Sequence, residues 1–249
     1  MTRSTAARPS GGSRSPASAP SARSPASAPT RRTAYHHGSL RTALIDAAES
    51  LLAERGVEGF SLREVARRSG VSPAAPAHHF GDAAGLLAAV ATTAFDNLTK
   101  ALEAGNARGG RDPLARLREQ GIGYVAFALQ HPGRFGLMFR GGLNQDQALQ
   151  HSAQAAFQAL EQAIRDLYGV PASRALSPSQ RNALLEVWSL VHGFAHLALA
   201  GQFDHLAPDG DRSALLRGTL APLLAQHLAR FDAGIKRRRA GDERPQPGG

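Results

Sequence analysis

The chain has 249 residues, no cysteine and a formal net charge of +9. It is long enough for one large domain or two small ones, and disulfide and thiolate chemistry are set aside. No apolar run approaches the ~20 residues of a membrane helix, so a cytoplasmic protein is expected.

The charge is unevenly placed. Residues 1–33 carry six arginines and no acid, and residues 234–249 carry five basic and two acidic side chains. Residues 34–233 are left with 18 of each sign. Attraction to a polyanion would therefore begin at the two ends.

In chain order, residues 1–34 read as a Ser/Pro/Ala arm, with "SRSPASAP" at 13–20 nearly repeated as "ARSPASAP" at 22–29. That composition buries no core and predicts a disordered basic arm. It lacks the apolar centre of a secretory signal. From Leu40 the pattern turns helical: Leu40, Leu44, Ala47, Ala48, Leu51 and Leu52 recur at helix spacing before Gly56. "SLRE" at 61–64 predicts a capping box, with Ser61 and Glu64 each meeting the other's backbone amide. The short helix 61–69 would stop at Gly70 in the left-handed conformation.

"VSPAAPAHHF" follows. Ser72 is placed as an N-cap and Pro73 as the first helical residue, predicting a helix over 72–79 in which Pro76 removes one hydrogen bond. Two short helices joined by a Gly-containing turn form either a plain helical hairpin or a helix-turn-helix, whose second helix enters the DNA major groove. Asp82 is placed to cap the next helix. "DP" at 112–113 and "SP" at 177–178 each set a capping side chain before a proline, and Ser177 with Gln180 forms a further capping box. Long periodic segments cover about 113–131, 146–168, 178–201 and 212–231. Pro222 predicts a kink in the last. No alternating strand pattern occurs, so the expected fold class is all-α.

Residues 35–98 resemble the DNA-binding domain of the tetracycline-repressor (TetR) family through "YHHGSLRTALIDAAESLLAERG", "FSLREVARRSGVS" and "HHFGDAAGLLAAV". "VWSLVHGF", with Trp188 and His192-Gly193, is similar to a family branch with a Trp/His-Gly regulatory domain. The resemblance implies an N-terminal three-helix domain over 38–98, with its helix-turn-helix at 61–80. It also implies a helical regulatory and dimerisation domain over 112–232. The basic tail, 234–249, is expected to be disordered. Two residues depart from the family pattern. Ala77 stands where a tyrosine is usual and Ala84 where a lysine is usual, and both usual residues hold phosphate. Residues 34–96 carry five arginines against seven acids, so Arg31 and Arg32 of the arm are expected to supply phosphate or minor-groove contacts.

The resemblance implies a homodimer on a palindromic double-stranded operator, responsive to a small-molecule effector. The expected DNA contacts are Ser61, Arg63, Ser72, Pro73, Ala74, Ala77, His78 and His79. Ser61 and His79 would serve phosphate. Ala74, Ala77 and His78 would face bases, where a methyl packs on thymine and an imidazole can hydrogen-bond. The recognition helix has no Arg, Lys, Asn or Gln, so DNA shape gains weight. Tyr124, Phe127, Phe139, Phe157, Trp188 and His192 are the candidate effector contacts. Leu184, Val191 and Ala195 on one helix, with Leu216, Leu220, Leu224 and Leu228 on another, are the candidate dimer face.

Other readings are narrower. His192 and His196 share a helix face near His205, a possible zinc set, but no thiolate or carboxylate completes it and stacked imidazoles are the simpler reading. There is no nucleophile elbow, phosphate-binding glycine loop or metalloprotease motif, so neither catalysis nor a cofactor is expected. A non-specific architectural DNA binder working through its tails is the main alternative.

Overall fold

The structure is a computed structural model, and it describes residues 32–143, 146–207 and 210–242, with side chains from residue 39 to 235. Arg31 lies outside these residues, and of Arg32 only the backbone is described. The described residues form helices and no strand: α1 Arg32–Arg55, α2 Leu62–Arg68, α3 Ala75–Phe80, α4 Ala83–Arg108, α5 Pro113–Gln130, α6 Pro132–Met138, α7 Gln147–Tyr168 and α8 Pro178–Leu199. A 3-10 turn at Asp204–Leu206, α9 at Arg212–Ala214, a π-helical turn at Leu215–Leu220 and α10 at Ala221–Asp242 complete the order. None of the described helices is long and apolar enough to cross a membrane.

Most helix starts follow the sequence signals. Asp82 accepts from the Gly85 amide at 2.8 Å and Asp112 from the Leu114 amide at 3.1 Å. Ser177 and Gln180 close their capping box in both directions. Gly70 has φ +66°; its amide and that of Val71 bond the Arg67 and Ala66 carbonyls, which is the Schellman ending of α2.

Several expectations are corrected. Neither half of the capping box forms: Ser61 makes no side-chain cap bond, and the Glu64 carboxylate is taken by Arg67 and Arg68. The recognition helix starts at Ala75 rather than Ser72. Pro73 sits in the turn closed by the Ala75 amide on the Ser72 carbonyl, where its fixed φ fits. Pro76 then falls in the first helical turn, where an amide would have had no intrahelical partner. "HPG" does more than separate two helices: Pro132 opens α6. The arm assigned to 1–34 gives way to α1 at Arg32, and the tail assigned to 234–249 is helical as far as Asp242. Lys and Arg are good helix formers and suit a helix C-terminus, so "IKRRR" prolongs α10. The break in the last segment is the π-helical turn just ahead of Pro222, where the proline ring would crowd an α-helical carbonyl.

One apolar core runs from Leu44 and Leu51 on α1, through Leu86, Val90 and Leu98 on α4, to Phe135, Val191 and Leu224. A smaller cluster around Leu117, Ile164 and Leu184 closes the far end. The expected domain boundary at residue 98 falls inside α4, which continues to Arg108. α4 is thus shared by the two halves.

Candidate nucleic-acid interface and regulatory cavity

α2 and α3 are held on α1 by charge and packing. Arg68 grips Glu54 of α1 with both terminal nitrogens, at 2.7 and 2.6 Å, while its Nε reaches Glu64 at 3.0 Å. The two guanidinium groups beside Glu64 hold its carboxyl down at about 2. Arg67 and Arg68 are therefore committed to ion pairs. Arg63 is exposed and engages no carboxylate among the described residues. The Arg41 guanidinium lies 5.0 Å from the Phe80 ring centre, and Phe80 packs on the core.

The outer surface of the turn and α3 is formed by Ser72, Pro73, Ala74, Ala77 and His78, all exposed. His79 is half-buried, its ring 5.6 Å from that of His78. Ser61, exposed at the start of α2, lies on the same motif. This surface is small, methyl-rich and carries one exposed imidazole.

In the body, a cavity of about 230 Å³ lies between α4, α5, α7 and α8. Four of the six expected effector contacts line it: Tyr124, Phe139, Phe157 and Trp188. Phe139 and Phe157 are the exposed aromatics of this wall, at 37% and 38%. The other two are corrected. Phe127 is buried beside His131, with ring centres 5.1 Å apart, away from the lining. His192 stands behind Tyr124, its Nδ1 2.8 Å from the tyrosine hydroxyl. Burial, opposed by a weaker hydrogen bond with Trp188, raises the Tyr124 pKa above its usual value. Burial, reinforced by neighbouring His196, lowers that of His192. A neutral phenol therefore faces a neutral imidazole.

Phe95, Leu98 and Leu102 on α4 and Gln120 on α5 also line the cavity, and none of them is marked by the sequence. The expected boundary at residue 98 splits the α4 set. Gln120 carries one usable signal: it shares a helix face with Tyr124, one turn on.

The histidines are stacked rather than gathered. The His192 and His196 ring centres are 4.5 Å apart, and both pack against Phe135. Among the described residues no group of three or more His, Asp or Glu side chains is placed to hold a metal ion.

The expected dimer face is also corrected. Leu184, Val191, Ala195, Leu220, Leu224 and Leu228 are buried within the single chain, and Leu216 packs partly buried against the same core. Apolar spacing marks a helix face that is covered but does not reveal whether its own chain or another covers it. Among the described residues, the large apolar side chains left exposed on α8 and α10 are Leu185, Leu197 and Leu223, at 49%, 48% and 37% exposure.

A helix-turn-helix mounted on a helical body defines a class, the DNA-binding transcription regulators. Residues 44–90 match the family of bacterial regulatory proteins described as tetR, and residues 117–220 match a tetracyclin repressor-like C-terminal domain. Together the matches cover more than half of the chain, which belongs to the TetR family. An uncharacterised HTH-type transcriptional regulator of Mycobacterium tuberculosis is 24% identical over 198 residues, covering 80% of this chain and 82% of its own. A protein of unknown function from Rhodococcus sp. RHA1 superposes with a TM-score of 0.62 at 32% identity, covering 78% of this chain and 98% of its own. The TetR family transcriptional regulator PfmR from Thermus thermophilus shares the fold, with a TM-score of 0.52 at 20% identity over 75% of this chain and 94% of its own. The protein is accordingly a DNA-binding transcription regulator rather than an enzyme.

Proposed function

We propose that the protein is a ligand-responsive repressor that binds a palindromic operator as a homodimer. The observation that carries this reading is the course of α4. It starts beside the recognition helix at Ala83, and its Phe95, Leu98 and Leu102 wall the cavity. A second strut runs alongside: α6 lies against α1, where Arg134 hydrogen-bonds Glu49. A Cβ on Gly133 would meet the backbone of Ala53 at 3.0 Å, so glycine lets the two helices approach closely here. A ligand that prefers one position of α4 and α6 shifts the separation of two recognition helices, and DNA affinity falls by its differential affinity.

Filling the cavity from within tests the coupling. Ala156 is 6% exposed and lines the wall. Ala156→Phe is expected to lower operator affinity about tenfold, inside the usual range of allosteric coupling, when measured by fluorescence anisotropy. An unchanged affinity in a folded variant would separate the cavity from DNA binding.

At the DNA, Pro73, Ala74 and Ala77 would offer apolar contact to thymine methyls and His78 a hydrogen bond to a base edge. Ser61, Arg63, Ser72 and His79 would serve the backbone. Arg31 and Arg32 would each neutralise a phosphate. Removing residues 1–32 should then flatten the slope of log K against log salt by about one unit for each phosphate no longer neutralised. An identical slope would remove the arm from the interface. The division into an N-terminal DNA-binding half and a C-terminal regulatory and dimerisation half belongs to the same proposal, as does a cytoplasmic location.

A further inference from the structure

The cavity walls are almost wholly apolar, with one exception that the fold leaves unfinished. Gln120 lines the cavity and is only 2% exposed. Its amide nitrogen donates to the Ala159 carbonyl of α7 at 3.1 Å. That bond fixes which end of the amide is which, since the carbonyl can only accept. The other end, Oε1, is buried and meets no hydrogen-bond partner among the described residues. Buried acceptors are rarely left empty, because each forfeits the bond it made with water. The Tyr124 hydroxyl is already engaged by His192 and by Trp188, so Oε1 is the unpartnered acceptor of the lining; it is closed off in this structure, and a guest reaches it by a small shift of the Gln120 side chain.

We propose that the cavity binds a neutral aromatic molecule of one or two rings with a single hydroxyl or N–H donor, and that Gln120 Oε1 accepts from it. The size follows from the volume: about 230 Å³ exceeds the ~150 Å³ of a dry cavity that holds benzene. The flat shape follows from Tyr124, Phe157 and Trp188, whose rings offer edge and face contacts. Neutrality follows from a lining with no charged side chain. A carboxylate or ammonium would lose its water and find no counter-charge. The proposal rests on the reading of this cavity as the effector site.

The test is calorimetric titration of the full chain with 2-naphthol, 2-methoxynaphthalene and 2-naphthoate. The naphthol should bind about five- to a hundredfold more tightly than its methyl ether, the usual worth of satisfying a buried acceptor. Gln120→Leu should erase that difference. The naphthoate should bind more weakly than either. Equal affinity for the naphthol and its ether, a persisting preference in Gln120→Leu, or tightest binding of the naphthoate would each overturn the proposal. The wild-type series decides the donor requirement without any variant. Gln120→Met, which keeps the side-chain length, serves where Gln120→Leu does not fold. If 2-naphthol binds through Gln120 but operator affinity does not move, the effector role fails and the site stands. If the operator is bound and none of the three probes binds, the site fails and the regulator stands.

Discussion

Phe135→Ala should lower the melting temperature by about 6–20 °C, the shift expected in a chain of this length from a cavity-forming loss of ~3–5 kcal/mol. Phe135 is fully buried. Its ring meets Tyr124 at 5.7 Å, Phe139 at 5.2 Å and His196 at 5.3 Å. It thereby joins α5 and α8 to α6, the helix whose Arg134 holds Glu49 on α1. Burial raises the Glu49 pKa despite the arginine, so loosening α6 would strand a carboxylate that is 9% exposed. Operator affinity should fall with stability. Phe157→Ala at the exposed edge of the cavity is the comparison, and should cost about 1–2 kcal/mol because its ring is only part-buried. Thermal melts of the two variants check the contrast. Similar melting temperatures would mean that α6 is not anchored through Phe135.

The second large effect concerns assembly. Leu185→Glu combined with Leu197→Glu should leave the fold and melting profile of the single chain nearly unchanged, because both side chains are about half exposed. If α8 and α10 pair across a two-fold axis, four carboxylates would enter that interface without partners. Light scattering should then report one chain of 26.2 kDa instead of two. Operator affinity should fall about a hundredfold or more, since a second half-site contact no longer follows the first. A variant that keeps the wild-type mass would place the contact between copies elsewhere.

The helix-turn-helix is legible in the sequence because its signals are local. Gly70 stops α2, Asp82 starts α4, and the family motifs "FSLREVARRSGVS" and "HHFGDAAGLLAAV" bracket the recognition segment. Where side chains compete, the local rule fails. Glu64 has the spacing to cap Ser61, but two arginines one turn on attract its carboxylate more strongly than an amide does. A proline after serine suits a helix start, which makes Pro73 look helical, yet it suits the second position of a turn equally well. The cavity is half legible. Aromatic residues draw attention to Tyr124, Phe139, Phe157 and Trp188, while the α4 side chains and Gln120 need the helices to be brought together. The spacing that marks Val191 and Leu224 as buried does not say that they are buried within one chain, and the leucines left outside are spaced too sparsely to announce a face.

Everything proposed for the DNA depends on this small, methyl-rich recognition surface reading a sequence. Selection of bound duplexes from a random pool, at physiological salt and with the full-length protein, tests that most directly. The expected outcome is a palindromic consensus, with half-sites about one helical turn apart or more, bound about a thousandfold more tightly than unselected DNA. Recovery of unselective, salt-sensitive binding alone would contradict it and would assign DNA binding to the basic ends of the chain.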